Sequence, residues 1–136
     1  MLLGCGGGSA SIGGPGDKSK SPRVIEVRQF DDFRYDPNFI AVKPNETVTF
    51  RITNRGTRIH EFFLGREDDQ DKRESQMADM GSAPANMADK PNSVTIDPGA
   101  TEELTWSFPN VGTIPFGCHQ PGDYGKGMKG TVKVSA

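Results

Sequence analysis

From residue 24 to residue 135, apolar and polar side chains alternate in short runs that stop at turn residues. Alternation with a period of two places every second side chain on one face of an extended strand, so each run has one face to bury and one to solvate. The runs are VIEVRQF (24–30), FIAVKP (39–44), TVTFRITN (47–54), HEFFLG (60–65), SVTI (93–96), EELTWSF (102–108), GTIPFGC (112–118) and GTVKVS (130–135). Lys43-Pro44-Asn45, Arg55-Gly56, Asp97-Pro98-Gly99 and Pro109-Asn110 punctuate them. Seven or eight such strands predict an all-β fold, an antiparallel β-sandwich of Greek-key type. Trp106 alternates with Leu104 and Phe108 and is expected in the core.

One segment breaks the rhythm. Residues 66–92 are strongly charged and then methionine-rich. Their first half predicts a helix over 68–80, ended by Gly81. An insertion of this length between two strands often carries function. Met77, Met80 and Met87 have two readings here: apolar plugs at one end of the sandwich, or a thioether cluster for Cu(I).

The first 22 residues are of another kind. Residues 6–22 are mostly Gly, Ser, Pro and Lys, with too little apolar surface to offset the entropy of ordering, which predicts a flexible linker before a domain at 23–136. Leu2-Leu3-Gly4-Cys5 resembles a bacterial lipobox. That predicts an extracytoplasmic protein, periplasmic or at the cell surface, whose only membrane attachment is a lipid at Cys5; a stray cysteine near a short N-terminus is the other reading. No apolar run approaches the ~20 residues that span a bilayer. A net charge of −2 without a basic stripe argues against nucleic acid as a partner. The two cysteines lie in the linker and in a late loop, so Cys118 is read as a free thiol.

That late loop, GCHQPGDYGKGMKG (117–130), carries the chemistry. Cys118 ends one strand and Met128 precedes the last, while His60 opens a strand much earlier. Strand ends meet at the poles of a sandwich, so His60, Cys118 and Met128 can converge. Thiolate, imidazole and thioether together suit a copper ion that moves between Cu(I) and Cu(II). Structural zinc takes Cys and His but rarely methionine.

Taken together, F-x-Y-x-P-N (33–38), I-x-V-x-P (40–44), E-T-V-x-F (46–50), H-E-F (60–62), D-P-G (97–99) and F-G-C-x-x-P-G-x-Y-x-x-G-M-x-G-x-V-x-V (116–134) resemble a cupredoxin, the type 1 or blue copper fold. The resemblance implies His60, Cys118 and Met128 as ligands of one type 1-like copper. It also implies that the backbone N–H of Glu61 bonds the Cys118 sulfur. Asp123 stands where the family carries its second histidine. It is either a carboxylate ligand, which favours Cu(II), or a turn-stabilising residue outside the metal sphere. His119 follows Cys118 directly and should face the other way along an extended chain. It is kept as the lesser candidate for the missing imidazole; otherwise it is a surface or core histidine, or an exit route for an electron. The Glu61 side chain is expected on Arg58 or Lys126, or in solvent; Tyr124 and Phe116 are expected to shield the site.

Three functions follow from these expectations. One is a monomeric one-electron carrier between extracytoplasmic redox partner proteins, with no turnover of its own. The second is a copper sequestration or tolerance protein. The third is a metal-free interaction module. A multicopper oxidase needs more histidines than the two present.

Overall fold

The computed structural model of the protein describes residues 11–20, 22–80 and 91–136. Among them the strands are β1 (Gly14–Pro15), β2 (Arg23–Phe30), β3 (Arg34–Asp36), β4 (Phe39–Val42), β5 (Glu46–Asn54), β6 (His60–Leu64), β7 (Ser93–Ile96), β8 (Thr101–Phe108), β9 (Gly112–Gly117) and β10 (Lys129–Val134). One helix, α1 (Glu67–Met80), interrupts them. All eight alternating runs are strands. The short β1 and β3 had no alternation long enough to announce them. Cys5, Met87 and the side chain of Met80 fall outside the described residues.

The strands form two five-stranded sheets, in the orders β1-β8-β5-β2-β3 and β4-β10-β9-β6-β7. The expected sandwich is present, but its sheets are mixed rather than antiparallel. β2 lies parallel to β5, with Val27 opposite Ile52, and β10 parallel to β4, with Val132 opposite Ile40. After β3 the chain crosses to the second sheet as β4 and returns as β5, beside β2 and pointing the same way. Alternation reads identically in parallel and antiparallel strands, so it carries no sign of this.

The inner faces pack as alternation requires. Phe50, Phe62, Phe108, Phe116, Ile52, Leu64 and Val132 are fully buried, and Trp106 joins the same core. Phe62 and Phe116 stack with centroids 4.9 Å apart, and Tyr35 meets Phe116 edge-on at 5.0 Å. The turn before β8 is type II: Ala100 N–H donates to the Asp97 carbonyl at 3.0 Å, and Gly99 takes φ 78°.

Part of the expected linker is docked. Gly14 and Pro15 pair with Ser107 and Trp106. The Trp106 indole N–H donates to the Ile12 carbonyl at 2.9 Å, which gives a buried indole the partner it needs.

Helix α1 starts with three acids, Glu67, Asp68 and Asp69, which suit the positive end of a helix. The Asp69 carboxylate also accepts the Arg66 N–H at 3.0 Å. The buried residues Gln70, Arg73 and Met77 form one face. Two of the three are polar, so the helix is held largely by hydrogen bonds. The Gln70 amide donates to the carbonyls of Phe63, Gly65 and Pro115 at 3.1–3.2 Å.

Candidate metal centre

Every residue of β6 is buried, because both faces of this strand are covered. His60, Phe62 and Leu64 share one face; Glu61 and Phe63 share the other, under α1. β6 pairs with β9 through Phe63–Gly117 and Leu64–Phe116, which brings the start of the 118–128 loop to the β6 end. The loop closes on itself: Cys118 N–H donates to the Met128 carbonyl at 3.1 Å. The Asp123 carbonyl accepts the N–H groups of Lys126 and Met128, both at 3.1 Å. Left-handed φ angles at Gly122 (87°) and Gly127 (102°) permit the two bends.

This arrangement gathers three donor atoms at one point. His60 Nδ1 lies 3.1 Å from Asp123 Oδ2 and 3.8 Å from Cys118 Sγ. Cys118 Sγ lies 3.3 Å from Asp123 Oδ2. All three side chains are fully buried, as is Met128, whose backbone frames the loop. Two atoms bound to one ion at about 2.0–2.3 Å sit roughly 3–4 Å apart. The three separations fall in that range, so nitrogen, sulfur and oxygen converge as a metal ion would require.

The surroundings set the charge. Burial first, and then the Asp123 carboxylate, push the Cys118 thiol well above the ordinary thiol range. The Glu61 N–H donates to Cys118 Sγ at 3.3 Å, as the cupredoxin resemblance implied. Asp123 Oδ1 meets the half-exposed guanidinium of Arg58 at 3.3 Å. His60 Nε2 is 2.9 Å from Asp31 Oδ1. The N–H of Thr57, then its hydroxyl, then His60, hold the Asp31 carboxyl well below the usual carboxylate range.

His119 is turned away from these atoms. Its ring stacks on Tyr124 at 4.3 Å, with Nδ1 2.7 Å from Glu74 Oε1 and Nε2 2.6 Å from Gln70 Oε1. Gly117 leaves room for Tyr124, since a Cβ there would come within 2.6 Å of the ring. Tyr124 therefore covers His119 directly, while Phe116 packs in the core beside Cys118.

The Glu61 side chain meets neither Arg58 nor Lys126. It is buried against Arg73 of α1, with Arg73 Nε 3.0 Å from Glu61 Oε2, and its other oxygen accepts the His119 N–H at 3.2 Å. The reason is strand alternation: residue 61 points opposite to His60, into the face that α1 covers. Arg58 goes to Asp123 and Asp31, and Lys126 lies over the Phe33 ring at 5.1 Å. Met77 is a buried contact of α1, and of the three methionines it alone has a described side chain. Asp31 and Arg73 were not legible in the sequence, because neither sits in a motif or a periodic run.

The profile of copper binding proteins of the plastocyanin/azurin family matches residues 24–135. The copper-resistant cuproprotein CopI of Rubrivivax gelatinosus is 36% identical over 122 residues, 90% of this chain and 72% of the relative. Auracyanin-A of Chloroflexus aurantiacus is 31% identical over 134 residues, 91% of this chain and 83% of its own length. Among solved structures, the dithionite-reduced auracyanin of Roseiflexus castenholzii superposes with a TM-score of 0.70 at 26% identity, covering 83% of this chain and 97% of that one.

Proposed function

Since this chain belongs to the plastocyanin/azurin family of copper-binding proteins, we propose that it holds one copper ion through His60, Cys118, Asp123 and Met128 and that its role is copper tolerance outside the cytoplasm. The observation that carries this reading is the Asp123 carboxylate, fully buried and 3.1–3.3 Å from both His60 Nδ1 and Cys118 Sγ. Bound copper supplies one-electron exchange between Cu(I) and Cu(II). The chain supplies the rest. Thiolate and carboxylate give the site two negative donors where a second imidazole would leave it one. Two negative charges favour the doubly charged ion over the singly charged one. A site that retains Cu(II) suits sequestration, and a 36%-identical relative is a copper-resistant cuproprotein.

One-electron carriage between redox partner proteins is the second reading. The prearranged donors and the Glu61 N–H on the sulfur favour it, because a frame that moves little exchanges electrons quickly. The likeness to an auracyanin solved in reduced form points the same way. In both readings the chain binds and has no turnover of its own.

Titration of the purified protein with Cu(II), followed by its visible spectrum and by voltammetry, tests the proposal. One equivalent of copper should bind and give a sulfur-to-copper band, with affinity strongly biased towards Cu(II). Cys118→Ser should abolish the band. Asp123→His should intensify it and shift the preference towards Cu(I). An unchanged preference in Asp123→His would exclude the carboxylate from the metal sphere, and fast reversible voltammetry of the parent protein would favour the carrier.

A further inference from the structure

We propose that Arg58 is the gate through which a copper ion enters and leaves the site: its guanidinium closes the polar edge of the buried donors and must swing outwards to admit an ion. This inference rests on the copper reading given above.

The donors are sealed. His60, Cys118, Asp123 and Met128 are fully buried, so an ion reaches them only after a covering group moves. Among the described side chains in polar contact with the three gathered donors, two face solvent: Arg58, 47% exposed, on Asp123, and Asp31, 34% exposed, on His60. They close on each other. Arg58 Nε lies 3.8 Å from Asp31 Oδ1, and a terminal Arg58 nitrogen donates to the Asp31 carbonyl at 3.1 Å.

Of the two, Arg58 is the one free to move. Asp31 Oδ2 is held by the Thr57 N–H at 2.7 Å and the Thr57 hydroxyl at 2.8 Å. The Arg58 backbone is pinned, because its carbonyl accepts the Asn54 amide at 2.7 Å. Its long side chain is held only at its tip, 3.3 Å from Asp123 Oδ1, with Cζ 5.5 Å from the centre of the Phe33 ring. Phe33 takes a left-handed φ of 64°, rare for a bulky residue, and that bend carries its ring to the guanidinium. Rotation about the side-chain bonds of Arg58 therefore uncovers Asp123 without moving the backbone. A gate of this kind slows loss as well as loading, which suits retention of copper.

Gate and charge predict opposite kinetics, which makes Arg58→Ala a sharp test. Removing a positive charge alone speeds the entry of Cu(II) and slows its exit. Removing a gate speeds both, because entry and exit cross the same barrier. In stopped-flow measurements, Cu(II) loading and Cu(II) loss to a chelator should both become about 10-fold faster in Arg58→Ala. A second readout uses no metal: alkylation of Cys118 by iodoacetamide in the metal-free protein, scored by peptide mass spectrometry so that Cys5 is counted apart. It should also become about 10-fold faster, whereas loss of a positive charge alone would disfavour the thiolate and slow it. Val134→Ala, in the core at the far end of β10, is the control for general loosening and should leave all three rates at parental values. If Arg58→Ala does not fold, Arg58→Lys keeps the charge, loses the planar fork and should speed the same three rates to a smaller degree. Parental alkylation, parental copper exchange, faster loading coupled to slower loss, or equal acceleration in Val134→Ala would each overturn the proposal. Failure of the parent protein to bind copper would count against the copper reading instead, and alkylation of the metal-free protein would still decide whether Arg58 closes the site.

Discussion

At the scale of single residues, the site is a balance of charge around four buried side chains. Asp123 and Cys118 add negative charge, and Arg58 answers it from the half-exposed rim, 3.3 Å from Asp123 Oδ1. Arg58→Leu removes a positive charge and should therefore raise the preference for Cu(II), read as a lower reduction potential. It also leaves a buried carboxylate oxygen without its charged partner, so the metal-free protein should lose about 1–3 kcal/mol, read from denaturant midpoints. The identity of Cys118, His60 and Met128 as candidates was legible from residue type and spacing. The charge balance was not, because Asp31 and Arg58 reach the site only when the 31–33 and 55–58 turns meet.

At the scale of elements, α1 is the departure from a plain sandwich, and it works on the site through β6. Arg73 and Glu61, 2% and 1% exposed at the side chain, form a buried ion pair between helix and strand. Glu61 in turn offers its backbone N–H to Cys118 Sγ, and its carbonyl accepts from the Gln29 amide and the Tyr35 hydroxyl. Breaking one partner of a buried pair leaves an uncompensated charge. Arg73→Met should cost about 3–5 kcal/mol in chemical denaturation, and adding Glu61→Gln should recover part of that. If the N–H to Sγ bond depends on this anchor, the sulfur-to-copper band should shift in the single variant. The span of α1 was readable from its composition: acids at its start and Gly81 after its end place it within a residue of the observed Glu67–Met80. Its docking was not, because Gln70 and Arg73 look solvent-bound in sequence yet are buried by hydrogen bonds.

At the scale of the whole molecule, the donor atoms are held by the same packing that closes the core. Cys118 and Met128 belong to the continuous cluster formed by Phe62, Phe116 and Trp106. Copper should therefore stabilise the fold without reshaping it. At 100-fold excess of free copper over its dissociation constant, mass action gives about 2.7 kcal/mol. Chelation should lower the thermal midpoint accordingly while leaving the far-ultraviolet circular dichroism unchanged; a chelated protein that loses its strand signal would show that the metal organises the fold. The sequence by itself determined the eight longer strands, their inward faces, the helical insertion and the candidate ligands, because alternation, turn residues and ligand chemistry are local properties. Only the tertiary structure decided the mixed sheets, the docking of residues 11–20, the turn of His119 towards α1 and the seat of Asp31 against His60. Each of these depends on which segments become neighbours, and strand alternation is the same whichever neighbour a strand acquires.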